Sequence, residues 1–129
     1  MEPSAIRFGI PPSTASVGPA RDKLRQALAA CTAPLELVGD AELVLTELVT
    51  NAIQHAAPPI EVELRLEDQG LTVEVIDHSP GVPPCLQPPD LDRIGGWGLA
   101  ILATVTEAWG FTAHPEHKVV WARLAHRPA

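Results

Sequence analysis

The sequence has few of the features that define several large classes of protein. Its 129 residues include two cysteines, no tyrosine and no apolar run long enough to cross a bilayer. Cys31 and Cys85 lie far apart and lack metal-ligand spacing, which favours reduced thiols over a disulfide. The first residues, MEPSAIRF, lack the basic cluster and apolar stretch of a signal peptide. We therefore expect a cytoplasmic protein that does not enter a membrane.

Positive charge is also scarce. Nine Lys and Arg stand against 16 Asp and Glu, which gives a formal net charge of −7. The basic residues are scattered, whereas a nucleic-acid binder usually carries a basic patch, so we expect no direct contact with nucleic acid. An acidic surface suits a partner protein with basic patches. The length and the 46% of hydrophobic residues fit one domain with one core, spanning residues 1–129.

Hydrophobic periodicity predicts the element order β-α-α-β-β-α-β-β. We expect a strand over 5–10, helices over 17–31 and 35–56, a hairpin over 60–77, a helix from the glycines at 95–98 to near Trp109, and a last hairpin over 111–124. Because the strands come in hairpins, the sheet should be mostly antiparallel, with three helices on one face: an α/β (α+β) two-layer sandwich. Residues 78–94 are Pro-rich and aperiodic, and a loop of this length in a small domain is often a functional lid.

Three stretches carry candidate chemistry, and the first is ELVTNAIQHA, residues 47–56. On a helix, Glu47 and Asn51 lie one turn apart on the same face, followed by Gln54 or His55. An amide oxygen is a hard ligand that suits Mg²⁺, and a carboxylate can accept a proton. The alternative is a solvated polar face, which is the favoured interpretation for this pair taken alone.

The second candidate is Asp77, at the end of LTVEVID. It has the parity of Leu71, Val73 and Val75, so a carboxylate falls on the buried face just before the long loop. A buried carboxylate is costly unless it is hydrogen-bonded, and the amino group of a ligand would suit it. Parity alone does not separate this interpretation from a strand that ends earlier, with Asp77 capping the turn. Gly81, four residues on, could let a flat ring approach the backbone.

The third candidate is GGWGLAIL, residues 95–102. Glycines just before a helix leave backbone N–H groups free to point at one spot, where the helix dipole adds partial positive charge. Such a site suits phosphates. A glycine run can also be only a flexible joint.

In their order and separation, these stretches resemble the ATP site of the GHKL ATPase superfamily, which has the Bergerat fold. The Glu47–Asn51 helix resembles the family's N-box, IDHSPGVP its first glycine box and GGWGL its second. Within the superfamily, LVLTELVTNAIQHA, VEVID and KVVWARL are most similar to the anti-sigma-factor serine kinases, and the likeness runs from about Ile6 to Leu124.

The resemblance implies a role for each candidate residue, with ATP and Mg²⁺ as the cofactors. Asn51 would ligate Mg²⁺ and Glu47 would be the general base. Asp77 would bond the exocyclic amino group of adenine, with Gly81 near the ring. Backbone N–H groups for the phosphates would come from Gly96, Gly98 and Leu99.

The resemblance also implies a function. The chain would be an ATP-dependent serine/threonine kinase that phosphorylates an anti-anti-sigma antagonist and sequesters a sigma factor. The alternative is a catalytically inactive binding module of the same fold, with nucleotide structural or absent. Trp97 between the glycines, and Val119 where a Thr often helps bind adenine, favour the alternative, whereas Glu47, Asn51 and Asp77 favour the kinase. Whether the chain forms a homodimer is left open.

Overall fold

The computed structural model describes residues 4–31, 33–55, 58–78 and 98–125. Along the chain lie the elements β1 (Ser4–Ile10), α1 (Val17–Ala30), α2 (Leu35–His55), β2 (Ile60–Glu67), β3 (Gly70–Asp77), α3 (Gly98–Val105), β4 (Ala108–Ala113) and β5 (Lys118–Ala125). The predicted element order is therefore confirmed.

Within the described part of the chain, the five strands form one sheet in the order β1-β2-β3-β5-β4. Every neighbouring pair is antiparallel, as the hairpin pattern predicts. β3 lies at the centre of the sheet, between β2 and β5, because the last hairpin returns to pair with it. The carboxyl end of β3 is therefore flanked by strands on both sides.

The helices lie against one face of the sheet, and the core lies between the two layers. Apolar and charged residues alternate along β2, because the apolar side chains face the helices and the charged side chains face away. This is the pattern of a sheet with one covered face. α2 contacts β2, β3 and β5, and both α1 and α3 pack against α2. One cluster joins the layers, and its largest buried members include Leu24, Leu28, Leu45, Leu48, Leu64, Leu71, Leu102 and Leu124. The two-layer α+β sandwich is confirmed.

The third helix is shorter than the sequence predicts. It ends at Val105, and Trp109 and Gly110 lie in β4 instead. The backbone N–H of Glu107 donates to the carbonyl of Arg123 at 2.8 Å, so the chain has already joined the sheet. A Cβ on Gly110 would meet the indole of Trp121 at 3.1 Å, so this glycine gives room to a ring across the strand pair and does not end a helix.

Two serines, Ser13 and Ser16, lie at the turn that leads into α1. Ser16 precedes the helix, but its side chain makes no capping bond; the hydroxyl donates to the carbonyl of Pro11 at 2.7 Å. Ser13 accepts instead from the N–H of Ala15, at the short 3₁₀ turn that leads into the helix. The residues of α1 that enter the core are Ala20, Leu24, Ala27 and Leu28, which recur at helical spacing.

Candidate functional site

Asp77 is a buried carboxylate at the end of the central strand. It is the last residue of β3 and is 1% exposed. It lies on the helix-covered face together with Val73 and Val75, so the inward position predicted from parity is confirmed. The alternative, an exposed turn cap beyond the strand, is excluded. An ionised carboxylate in this place requires polar partners, because burial removes its water.

Lys118 lies directly opposite Asp77 and was missed by the sequence reasoning. The two residues are register partners in the β3–β5 ladder, and Lys118 is 3% exposed. The Lys118 Nζ lies 3.8 Å from the Asp77 Oδ2, within ion-pair range and beyond the usual length of a direct hydrogen bond. The signal was present in KVVWARLA, where Lys118 has the parity of Val120, Ala122 and Leu124. The sheet thus holds an acceptor and a donor side by side, both buried.

Val119 does not occupy the position that the resemblance suggested. It pairs with Ile76 and lines a cavity on the outer face of the sheet, together with Thr72, Glu74, Trp121 and Arg123. Strand residues of opposite parity point to opposite faces, so Val119 faces away from the side that holds Asp77. The residue across from Asp77 is Lys118, and the absence of a hydroxyl at Val119 has no bearing on a ligand there.

Glu47 and Asn51 lie together on α2, as their spacing predicts. Both are half-buried, beside the fully buried Val44 and Leu48. Gln54, the next polar residue on this side, is exposed. α2 contacts both β3 and β5, the two strands that carry the buried ion pair. This face of α2 therefore borders the core instead of being fully solvated.

The third candidate stretch is described only from Gly98 onward. α3 begins at Gly98, so Leu99 lies in its first turn, where backbone N–H groups have no acceptor within the helix. Leu102 is fully buried in the core cluster, and α3 contacts α2, so this helix is anchored to the same element as Glu47 and Asn51. Gly81, Gly96, Trp97 and residues 79–94 of the predicted lid segment lie outside the described residues.

The donor set agrees with nucleotide chemistry. Among the described residues, no three His, Cys, Asp or Glu side chains gather as a metal cage. Mg²⁺ is commonly held by one or two protein oxygens together with substrate phosphates, and the amide oxygen of Asn51 fits that description. Asp77 offers a hydrogen-bond acceptor, and Lys118 offers a donor, to the polar edge of a ligand. In the described chain, no helix has both the length and the apolar character needed to span a bilayer.

Comparisons with known proteins agree with this fold. Residues 10–124 match the family described as the histidine kinase-like ATPase domain. The fold is similar to the crystal structure of the RsbU and RsbW domains of Rv1364c from Mycobacterium tuberculosis, with TM-score 0.72, 20% identity, and coverage of 98% of this chain and 34% of that one. It is also similar to the histidine kinase AdeS from Acinetobacter baumannii, with TM-score 0.53, 14% identity, and coverage of 99% and 70%.

The chain thus spans about a third of the length of the first of these structures. No curated protein sequence is significantly similar to it. The family match covers nearly all of the core elements, from the end of β1 to β5. This chain therefore belongs to the histidine kinase-like ATPase domain family.

Proposed function

We propose that this chain binds ATP with Mg²⁺ and transfers the γ-phosphoryl group to a Ser or Thr hydroxyl of a partner protein. The observation that carries the proposal is the burial of the Asp77 carboxylate at the end of the central strand, in a domain that belongs to an ATPase family. A carboxylate in this position suits the exocyclic amino group of adenine, because a charged acceptor strengthens the hydrogen bond that it receives.

Each remaining residue has a role in this proposal. Asn51 holds Mg²⁺ through its amide oxygen, and Gly98 and Leu99 offer backbone N–H groups to the phosphates. Glu47 would accept the proton of the attacking hydroxyl. The hydroxyl oxygen would bond to the γ-phosphorus as the bond from that phosphorus to the β–γ bridging oxygen breaks, and ADP would leave with the bridging oxygen. Phosphoryl transfer depends mostly on positioning and on neutralised charge, and Mg²⁺ supplies much of that neutralisation. Gly81 and Gly96 keep the roles that the resemblance implies, near the ring and at the phosphates.

The proposed partners are a sigma factor and its anti-anti-sigma antagonist. Support comes from the resemblance of LVLTELVTNAIQHA, VEVID and KVVWARL to the anti-sigma-factor serine kinases, and from the likeness of the fold to a part of the structure of the RsbU and RsbW domains. The net charge of −7 suits a partner surface with basic patches. The antagonist would be the phosphoryl acceptor, and the sigma factor would be held without being modified.

Calorimetry with ATP, with and without Mg²⁺, tests the first half of the proposal. We expect binding that is tighter with Mg²⁺. A transfer assay with radiolabelled ATP and candidate antagonists tests the second half. A protein that captures a sigma factor but neither binds ATP nor transfers phosphate would be a binding module of the same fold, and the kinase proposal would fail.

A further inference from the structure

Lys118 is buried in a place where a lysine is costly. It is 3% exposed, and taking an ammonium out of water requires a partner of opposite charge. The antiparallel register fixes its direction, because Lys118 could turn outward only if β5 slipped by one residue and moved Val120, Ala122 and Leu124 off the core. The strand therefore commits this ammonium to the helix-covered face, beside Asp77.

Stability alone gives little reason for such a pair. Buried ion pairs are often matched or exceeded in stability by apolar residues of similar volume. The remainder of the inward face of β5 follows that pattern, with Val120, Ala122 and Leu124 all apolar. The charged pair stands only at the end of the ladder, where β3 leads into residues 78–97.

The geometry of the pair is that of two groups that can share a ligand. The Lys118 Nζ and the Asp77 Oδ2 are 3.8 Å apart, so the pair is held by charge and not by a direct hydrogen bond of normal length. The carboxylate only accepts hydrogen bonds and the ammonium only donates them. Adenine presents the matching set, because its 6-amino group is a donor and lies between two ring acceptors, N1 and N7.

We propose that Lys118 determines base specificity. Its ammonium would donate a hydrogen bond to a ring nitrogen of adenine, N1 or N7, beside the 6-amino group whose hydrogen bond Asp77 accepts. This inference rests on the proposed binding of ATP and adds to it a second charged contact to the base, from a residue on a different strand. It also gives a reason for a lysine at a buried position, since the bound base takes part of the place of the lost water.

Adenine analogues that lack one ring acceptor test the contact directly. Calorimetry would compare ATP, 1-deaza-ATP and 7-deaza-ATP on the wild-type chain and on Lys118→Met, which keeps the length of the side chain but removes the donor. We expect the wild type to bind one of the two analogues about tenfold or more weakly than ATP, the loss typical of one charge-assisted hydrogen bond. We expect Lys118→Met to bind ATP and that analogue with equal affinity, because the two changes remove the same contact.

Arg123→Met is the matched control. Arg123 is a basic residue of the same strand, but it lies on the outer face, where it forms ion pairs with Glu67 and Glu107. This variant should keep the wild-type preference for ATP over the analogue. If Lys118→Met fails to fold, Lys118→Gln, which leaves a hydrogen-bond partner for Asp77, should reduce the preference.

The outcomes separate the two proposals. If the wild type binds ATP and both analogues equally, Lys118 does not contact the base, while ATP binding stands. If Lys118→Met or Lys118→Gln discriminates the analogue as strongly as the wild type does, Lys118 is only a counter-ion of Asp77. If the wild type binds no ATP at all, the proposed function and this inference fall together.

Discussion

Charge at the end of the central strand is the main chemical feature at the scale of single residues. Asp77 and Lys118 are both buried, and each is the partner of the other across the β3–β5 ladder. Removal of one member of a buried pair leaves the other charge without compensation, whereas removal of both leaves none. A substitution at Asp77 therefore affects folding as well as any ligand, and a useful test has to separate the two effects.

We predict that Asp77→Asn lowers the free energy of unfolding by about 3 kcal/mol, because Lys118 then remains buried without a carboxylate. The double variant Asp77→Asn, Lys118→Met should recover most of that loss. Urea unfolding of the wild type and both variants measures it. A single variant as stable as the wild type would show that the two charges are not coupled. The double variant, once folded, should bind ATP more weakly than the wild type.

We predict that Asn51→Ala abolishes the Mg²⁺ dependence of ATP binding, because its amide oxygen is the proposed protein ligand. Gln54→Ala is the matched control, since Gln54 is an exposed amide on the same helix and should leave the dependence unchanged. Calorimetry with and without Mg²⁺ measures both. If Asn51→Ala still binds ATP more tightly with Mg²⁺, the ligand is another residue.

At the scale of the elements, the close approach of β3 to β5 is set by a glycine. Gly70 begins β3 and pairs with Ala125. A Cβ there would collide with the carbonyl oxygen of Leu124, and it would also lie 3.3 Å from the Arg123 guanidinium. The backbone oxygen cannot move without disturbing the ladder, so the turn between β2 and β3 requires glycine for reasons of space.

We predict that Gly70→Ala destabilises the chain by about 1–3 kcal/mol, the usual cost of overpacking. Gly39→Ala is the matched control, and it should change the stability of the chain in the opposite direction. Gly39 lies inside α2, and a Cβ there meets nothing within 4 Å, so alanine should stabilise the helix by up to about 1 kcal/mol. Thermal or urea unfolding decides both signs, and a neutral Gly70→Ala would contradict the steric explanation.

The edge strand β1 is joined to β2 by the ion pair of Arg7 and Glu61, with Arg7 Nε donating to the Glu61 carboxylate at 2.8 Å. That hydrogen bond holds the pKa of Glu61 below its ordinary value, against the opposing effect of burial. A carboxyl whose pKa is lowered by folding stabilises the fold above its unfolded pKa, and this stabilisation is lost as the pH falls through the folded pKa.

We therefore predict that Glu61→Gln costs less than about 1 kcal/mol near neutral pH, because the pair is partly exposed and solvent screens it. The difference from the wild type should shrink to nothing in acid, below the folded pKa of Glu61. Unfolding free energies over a pH series measure this, and a difference that grows in acid would have the wrong sign.

At the scale of the whole molecule, the sheet separates two different surfaces. Its covered face carries the core and the buried ion pair, while its outer face carries Arg65 with Glu63 and Glu74, and Arg123 with Glu67 and Glu107. α2 borders the covered face and brings Glu47 to it. In the proposed function, catalysis at Glu47 and docking of a partner protein would use different parts of the molecule.

We predict that Glu47→Ala lowers phosphotransfer by about 10²–10⁴-fold, the usual contribution of a general base, and keeps ATP and sigma-factor binding. Glu47 is neither a proposed metal ligand nor a proposed base contact, so binding should survive its loss. A radiolabel assay measures transfer, and a pull-down with the sigma factor measures docking. Transfer at the wild-type rate would show that the base lies elsewhere.

Local pattern in the sequence determined the elements and most of the candidate residues. The alternation of β2 and β3 and the apolar stripes of α1 and α2 depend on neighbours a few positions apart, and they predict the covered face correctly. The same parity placed Asp77 on that face. The end of α3 was wrong, since the pairing of β4 with β5 overrides the helical pattern near Trp109.

Only the tertiary structure decided what Asp77 faces. No local pattern states that β5 pairs with β3, since this contact joins strands separated by α3 and residues 78–97. The pairing and its register bring Lys118 to Asp77 and turn Val119 to the other face. A slip of one residue would exchange these two positions, and it is excluded because it would also remove Val120, Ala122 and Leu124 from the core. The identity of the residue beside Asp77 was thus set by the burial of the strand as a whole.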